Sequence, residues 1–317
     1  MTLVLTRSDL NAVLDLDRAL AALREGFLHD DVAAVPGQRM HTELPGPGTA
    51  TALLPGLLPG VPAYAVKVNA KFPAAQPALR GVVCLHSLAD GELLAVLDSS
   101  TVTAWRTGLA AALATDLLAD PAASALGIVG AGAQAELVLR GLRRLRPLTR
   151  ITVTDIDPDR ARRFAERHGQ PGGPPPRPLD GAAQVSAACD IVVLATWSHA
   201  PLLTLAETRP GQHLTSLGAD EPGKRELGAD LLNAAILVVD DLELARRSGV
   251  LCDEEVPGPL ATTLGAVLRR STAGRTDPSQ LTVYAPVGLP WQDLALAWTC
   301  YLSAKERGEA ADIDLLS

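Results

Sequence analysis

The stretch 98–119, DSSTVTAWRTGLAAALATDLLA, carries a single charge between Asp98 and Asp116: the guanidinium of Arg106. Alanine and leucine fill it, and Ser99 or Ser100 is placed to cap it, so the pattern predicts a helix. A helix that is apolar nearly all round is buried, and a buried charge is costly unless it is paired. No carboxylate lies three or four residues away to pair with Arg106 along the helix. The side chain therefore reaches the surface, meets a distant Asp or Glu, or receives an anion from outside.

Lysine points to the same chemistry by its scarcity. Of 28 basic residues only four are lysines: Lys67, Lys71, Lys224 and Lys305. Lys305 lies in the polar segment SAKERGEA and reads as a surface residue. Lys67 and Lys71 are four apart in AYAVKVNAKF, which alternates like a strand, so both fall on one face. Lys224 reads as a solvated turn residue.

A second candidate site is made of glycines. GIVGAGAQA places Gly130, Gly132 and Ala135 as Gly-x-Gly-x-x-Ala, after a short apolar strand and at the start of an amphipathic helix. Such glycines allow a tight turn and close backbone approach to a pyrophosphate, and the helix N-terminus favours its negative charge. The next strand ends at Asp155, twenty residues past Ala135. A carboxylate there can hydrogen-bond the adenosine ribose of NAD(H) and would repel the extra phosphate of NADP(H). Arg160 is a counterweight, so NAD(H) is favoured and NADP(H) stays open. Asp155 could also serve as a helix cap, a role that Asp157 fills equally well.

These sites need elements to hold them. Residues 8–28 carry one helix pattern, and 33–62, rich in Pro and Gly, read as loop with short strands. GVVCLHSLADGELLAVLD (81–98) reads as a hairpin turning at Ala89-Asp90-Gly91. From residue 124 strands alternate with helices through SALGIVG, RITVTDID, DIVVLAT, QHLTSLG and AAILVVDD, which predicts a parallel sheet. GQPGGPPPRPLDG (169–181) reads as a solvated loop. Residues 281–306 end in one long helix beginning near Pro290. A length of 317 residues favours two domains, and 47% apolar residues suffice for a sizeable core. A formal net charge of −8 argues against a nucleic-acid surface. No long uncharged apolar run suggests a membrane span, and no signal-peptide pattern is visible. Cys84, Cys189, Cys252 and Cys300 form no Cys-x-x-Cys, and the six histidines have no metal-ligand spacing. A reduced, cytoplasmic protein without a metal is expected.

Several stretches together resemble the ornithine cyclodeaminase/μ-crystallin family: KVN at 67–69, LLAVLDSSTVTAWRTGLAAALAT at 93–115, GIVGAGAQA at 127–135, GADEPGKREL at 218–227 and VGLPWQDLA at 287–295. The resemblance implies a homodimeric α/β enzyme in which a Rossmann-type, doubly wound parallel sheet is inserted into an α+β substrate-binding and dimerisation domain. Residues 1–120 would form the substrate domain, 121–286 the NAD(P)-binding domain and 287–317 a helix returning to the first. By the same resemblance Arg106 binds the substrate carboxylate, with Lys67 and Arg39 as further ligands, and Asp220 acts at the substrate nitrogen. Lys67 and Asp220 form the catalytic pair. Thr107, Gly130, Gly132, Ala133, Gln134, Asp155 and Thr196 form the cofactor set. The chemistry is coherent: arginine offers a planar fork to a carboxylate, lysine a point charge, and an aspartate can exchange a proton with an amine. The alternatives are that Lys67 only snorkels from its strand and that Asp220 only caps a turn.

One departure narrows the reaction. Cyclodeaminases of the family carry a glutamate shortly before Lys-Val-Asn, where this chain has TALLP with Ala52 in its place; Glu43 lies nine residues earlier. The alanine dehydrogenases resemble the mixed pattern seen here. The expected function is hydride transfer between a nicotinamide and the α-carbon of a small α-imino or α-amino acid, of ketimine-reductase or alanine-dehydrogenase type. Ornithine cyclodeaminase, which recycles NAD while making proline and ammonia, is the alternative, and a non-catalytic μ-crystallin-like binding protein is the second.

Overall fold

The computed structural model describes residues 1–29, 38–44, 48–72, 74–75, 77–169, 173–256, 261–308 and 310–315, with the backbone alone for Gln38 and Leu54. The chain divides into two compact units, Met1–Arg106 with Leu289–Ser317, and Thr107–Gly288. The first boundary falls inside a helix, after Arg106, and the second between Gly288 and Leu289, where the resemblance implied 120 and 286.

The first unit begins with β1 (Thr2–Leu5), α1 (Arg7–Val13) and α2 (Leu16–Leu28). The single helix expected over 8–28 is therefore two. Asp15 accepts a hydrogen bond from the Arg18 N–H and caps α2, which starts a new helix where one pattern seemed continuous. Next come β2 (Gln38–Glu43), β3 (Thr49–Gly56), β4 (Ala63–Lys71), β5 (Leu79–Ser87) and β6 (Leu93–Asp98). The expected hairpin is β5–β6, paired antiparallel. The Arg106 helix, α3 (Ser99–Leu118), follows without a break. Its cap is Asp98, not Ser99 or Ser100: the Asp98 carboxylate accepts from the backbone N–H of Ser100 and Thr101 and from the Thr101 hydroxyl.

The second unit has β7 (Ala125–Val129), α4 (Ala133–Leu145), β8 (Arg150–Thr154), α5 (Pro158–Arg167), β9 (Pro176–Pro178), α6 (Ala182–Ala188), β10 (Ile191–Leu194) and β11 (His213–Ser216). It continues with α7 (Ala229–Ala234), β12 (Ile236–Val239), α8 (Leu242–Ser248), β13 (Thr262–Thr263), α9 (Leu264–Leu268) and β14 (Thr282–Tyr284). The chain then returns to the first unit as α10 (Pro290–Arg307) and β15 (Ala311–Ile313).

The second unit's eight strands run in the order β13-β12-β14-β11-β10-β7-β8-β9, and every pairing is parallel. Order reverses between β7 and β10, where a doubly wound sheet opens its ligand crevice. Ile128, Val153, Ile191 and Val193 pack in one core with Val138, Leu139 and Leu142 of α4 and Phe164 of α5. The alanines of α3 have a reason here. A Cβ on Gly141 would lie 2.6 Å from the Ala112 Cβ, and one on Gly108 would lie 2.4 Å from the Leu137 Cβ. Only small residues let the C-terminal part of α3 approach α4 so closely. The Pro-rich stretch 169–181 contributes β9 at the sheet edge, where proline is tolerated; residues 170–172 lie outside the described residues.

In the first unit seven strands run β15-β1-β6-β5-β4-β3-β2. The register aligns Arg39, Leu53, Lys67, Val83 and Leu97 in one row across β2 to β6. The next row holds Met40, Ala52, Val68 and Val82, on the opposite face. The Lys67 face is covered: α10 packs on β4, β3 and α2. Trp291 seats it, crossing Phe27 edge-to-face with centroids 4.9 Å apart and leaving no room for a side chain at Gly26. No described helix is long and apolar enough to cross a membrane.

Candidate active site

On β4 the alternation that buries Ala63 and Ala65 also buries Lys67, which is 1% exposed. Its Nζ lies 2.8 Å from Asp293 Oδ1 and 2.7 Å from Oδ2, and 3.4 Å from the Thr103 hydroxyl. Asp293 stands in the first turn of α10, aimed at β4 by the packing of Trp291. Arg106 reaches the same carboxylate, its Nε 3.3 Å from Oδ1, while its Nη1 donates to Gln292 Oε1 at 3.1 Å. Arg106 does not reach the surface: the side chain is buried and meets a distant acid, Asp293. One carboxylate serves two cations, and the Nε–H of Arg106 has no hydrogen-bond partner among the described residues. Burial and the Arg106 guanidinium pull the Lys67 pKa down to about 7, against Asp293, with Arg39 adding to the fall.

Arg39 is half-buried on the Lys67 row, with Leu53 between them. Asn69 is buried two residues past Lys67 on the same face, donating to Thr103 at 3.5 Å, and its amide oxygen lacks a partner among the described residues. Lys71, at the end of β4 on that face, is half-buried. Ala52 lies on the opposite face, and its inward neighbours Thr51 and Leu53 carry no carboxylate. Glu43 is exposed at the end of β2.

In the second unit the glycine motif sits between β7 and α4. Gly130 has φ +95°, and a Cβ there would lie 2.5 Å from the Ala195 carbonyl oxygen, so glycine is required. Gly132 precedes the first turn of α4 with no side-chain cap and open space around its Cα; Ala133 is exposed and Gln134 half-buried. A free, uncapped helix start with this glycine turn fits a pyrophosphate. Asp155, just past β8, accepts from the Ala131 N–H at 2.8 Å and lies 3.4 Å from Arg160 Nη1. Asp157 caps α5. Ile156, which sequence reasoning passed over, is fully exposed beside Asp155. Thr107 is half-buried on α3, and Thr196 lies on the connection after β10.

Asp220 lies past β11. Lys224 corrects the reading of a solvated turn residue: its Nζ sits 2.8 Å from Asp220 Oδ1 and 2.8 Å from Glu221 Oε2, and its side chain is buried. Burial works against its charge, but the two carboxylates outweigh that and hold the Lys224 pKa above the ordinary lysine value. The neighbours GKRE in a glycine-bounded turn gave a solvated pattern. The two acids at i−4 and i−3 were the available signal.

The chain belongs to the ornithine cyclodeaminase/mu-crystallin family, whose model matches residues 3–308. The expected resemblance and the expected Rossmann-type parallel sheet are both borne out. The structure is similar to an archaeal alanine dehydrogenase dimer with bound NAD, at TM-score 0.91 and 28% identity over 99% of each chain. It is also similar to the Thermococcus litoralis Δ1-pyrroline-2-carboxylate reductase in complex with NADH and L-proline, at TM-score 0.92 and 27% identity over 98% of this chain and 100% of that one. In sequence it is 30% identical to the L-lysine cyclodeaminase of Streptomyces rapamycinicus over 92% of this chain and 89% of the relative.

Proposed function

We propose that the protein is an NAD(H)-dependent oxidoreductase acting on a small α-imino or α-amino acid, of imine-reductase or alanine-dehydrogenase type. The observation that carries this reading is the pair of buried cations, Lys67 and Arg106, sharing the single carboxylate of Asp293. Two cations against one anion leave positive charge for a substrate carboxylate, and the Arg106 Nε–H, which faces Asp293 without a hydrogen bond, is a donor for it. Arg39, on the same strand row, supplements the charge. Gly130, Gly132, Ala133 and Gln134 cradle the dinucleotide phosphates, Asp155 takes the ribose hydroxyls, and Thr107 and Thr196 complete the contacts. The fixed Asp155 carboxylate favours NAD(H) over NADP(H).

When bound, the nicotinamide supplies or accepts the hydride at the substrate α-carbon. Arg106 and Lys67 hold the carboxylate and so orient that carbon. Asp220 exchanges a proton with the substrate nitrogen, and Lys224, 2.8 Å from its Oδ1, holds the carboxylate in place. Cyclisation of a diamino acid needs a further group to manage the second amine, and neither Ala52 nor its inward neighbours offer one. This favours net reduction or oxidation over the cyclodeaminase reaction, and the retained Lys67, Arg106 and Asp220 favour an enzyme over a binding protein.

The protein works as a homodimer in this reading. Met40, Val68 and Val82 stand 62%, 48% and 40% exposed in one row on the outer face of the first unit's sheet, a face suited to a second copy. Four free cysteines fit a reducing cytoplasm. The test is a screen of the purified protein with cyclic imines plus NADH, pyruvate plus ammonia plus NADH, and ornithine plus NAD+. Net NADH consumption in either of the first two is expected. Ornithine consumption with no net change in NADH would establish the cyclodeaminase instead, and NADH binding without any turnover the binding protein. Light scattering that finds a monomer at micromolar concentration would remove the dimer.

A further inference from the structure

Glu226 lies six residues past Asp220 and has no part in the chemistry described above, yet it is among the most completely engaged side chains in the second unit. It is 0% exposed. Its Oε1 accepts from the Thr196 backbone N–H and the Thr196 hydroxyl, both at 2.7 Å. Its Oε2 accepts from the Ser216 hydroxyl and the Gly218 N–H, both at 2.7 Å. Four donors face four lone-pair positions, which suits a carboxylate and offsets the burial that pushes its pKa up.

The four donors come from two neighbouring strand ends. Thr196 belongs to the connection after β10, while Ser216 ends β11 and Gly218 opens the segment leading to Asp220. The backbone stitches the same two connections together: Leu202 N–H donates to the Glu226 carbonyl at 2.8 Å, and Arg225 N–H to the Ser198 carbonyl at 2.9 Å. The fit is tight. A Cβ on Gly218 would lie 2.2 Å from the Thr196 carbonyl oxygen and 2.6 Å from Glu226 Cδ. The preceding residue, Ala195, touches the phosphate turn, since its carbonyl oxygen is what forbids a side chain at Gly130. Glu226 therefore stands behind the C-terminal ends of β10 and β11, beside the end of β7, where the sheet opens its crevice.

We propose that Glu226 is the positioning residue of this crevice: its buried carboxylate fixes the Thr196 connection against the Gly218–Asp220 connection, and so sets both cofactor affinity and the placement of Asp220. The proposal rests on the cofactor and proton-transfer roles given above to Thr196 and Asp220. Glu226→Gln keeps the size but brings an amide NH2 against either the Thr196 or the Gly218 N–H, leaving one buried donor unanswered. Ser216→Ala removes one of the four donors without touching Thr196 or Asp220.

Glu226→Gln is expected to weaken NADH binding, read by fluorescence titration, by about tenfold or more, the loss of a hydrogen bond to a charged group. It should lower kcat while leaving pyruvate binding, measured by calorimetry, as in the wild type. Hydrogen exchange of the cofactor-free protein should speed up over 195–203 and 216–221 and stay unchanged elsewhere. Ser216→Ala should shift NADH affinity in the same direction by about threefold, as a lost neutral donor would. Unchanged NADH affinity and exchange in Glu226→Gln would overturn the proposal, and so would an equal loss of pyruvate binding, the mark of a general stability effect. If Glu226→Gln does not fold, unchanged NADH affinity in Ser216→Ala overturns it. NADH binding and exchange judge Glu226 even if no imino acid is turned over, so failure of the functional reading stays distinguishable.

Discussion

Two buried lysines sit in opposite surroundings. Lys67, in the first unit, shares one carboxylate with Arg106; Lys224, in the second, shares its ammonium between Asp220 and Glu221. In the first cluster one carboxylate lies between two cations; in the second one ammonium lies between two carboxylates. The pKa values follow: burial and Arg106 pull Lys67 down to about 7, whereas the two carboxylates overcome burial and raise Lys224. Both lysines lose water, so desolvation alone does not separate them; the sign of the neighbouring charge does.

The largest expected effect tests the anionic cluster. Asp220→Asn keeps the shape but can neither hold a proton nor offer a full charge, and it should lower turnover by roughly 10²–10⁴-fold. NADH affinity should barely move. Near-normal turnover in steady-state kinetics would make Asp220 a structural acid, and the contrast between the clusters would lose its functional meaning.

The next effect is on stability, and the clusters should differ. Asp293→Asn leaves two buried cations facing each other, a loss of about 3–5 kcal/mol for a broken buried pair. Lys67 can relieve part of this by giving up its proton, because its pKa falls further without Asp293. The folded pKa then lies far below the unfolded value of 10.5, the unfolded chain holds more protons between the two, and stability rises with pH over that window. The wild type, whose Lys67 pKa is already about 7, shares this rise above pH 7, so the two proteins diverge only below it, and the destabilisation should be greater at pH 6 than at pH 9. Lys224→Met leaves two carboxylates, of which Asp220 is a third exposed, so water screens them and the loss should be smaller. Equal melting temperatures for the two variants across this pH range would contradict the comparison.

Asp293 also shows where sequence reading stopped. The Arg106 helix, the β5–β6 hairpin, the glycine turn and the alternating strands of the parallel sheet were legible because each is a local pattern of periodicity and turn chemistry. The short strands β1, β9, β13 and β14 were not, since two to four residues carry no period and are held only by neighbouring strands. The partner of Arg106 is 187 positions away, where an aspartate in the first turn of a helix reads as ordinary dipole compensation. Yet Asp293 is the one charge between Pro290 and Lys305, in a segment as apolar as that around Arg106. A lone aspartate in α10 is as costly to bury as a lone arginine in α3, and two lone opposite charges in buried helices are candidates for each other. Glu226 gave no such signal, because it sits among Asp220, Glu221, Lys224 and Arg225 in a segment that reads as solvated.

A smaller effect separates anchoring from pairing at Arg106. Arg106→Lys keeps a cation near Asp293 and so keeps most of the fold, but it loses the fork that can reach Asp293, Gln292 and a substrate carboxylate together. Loss of that charge-assisted contact should cost about 1.5–3 kcal/mol in substrate binding, roughly one to two decades in KM. The effect should vanish for an analogue with an amide in place of the carboxylate. A large fall in melting temperature with unaltered KM would show that Arg106 serves Asp293 alone.

The smallest effect is a proton. With its pKa near 7, Lys67 is largely neutral at pH 8. A carboxylate bound beside them favours the ammonium form of Lys67 and raises its pKa, so binding at pH 8 must take up a proton. Pyruvate is a suitable probe, since it has no amine to titrate in this range. Calorimetry in two buffers of different ionisation enthalpy should give an uptake approaching about one proton per site. Pyruvate affinity should weaken as pH rises above 7, by at most about tenfold per pH unit, and level off once Lys67 is neutral in the complex as well. Lys67→Met should remove both the buffer dependence and the pH dependence while leaving the weaker binding that Arg106 provides. The neighbours that set the starting pKa are Arg106, Asp293 and Arg39. The variant assigns the signal to Lys67. Binding with no proton uptake at pH 8 would mean that the anion docks away from Lys67, and the cationic cluster would then be a paired core element, not a substrate anchor.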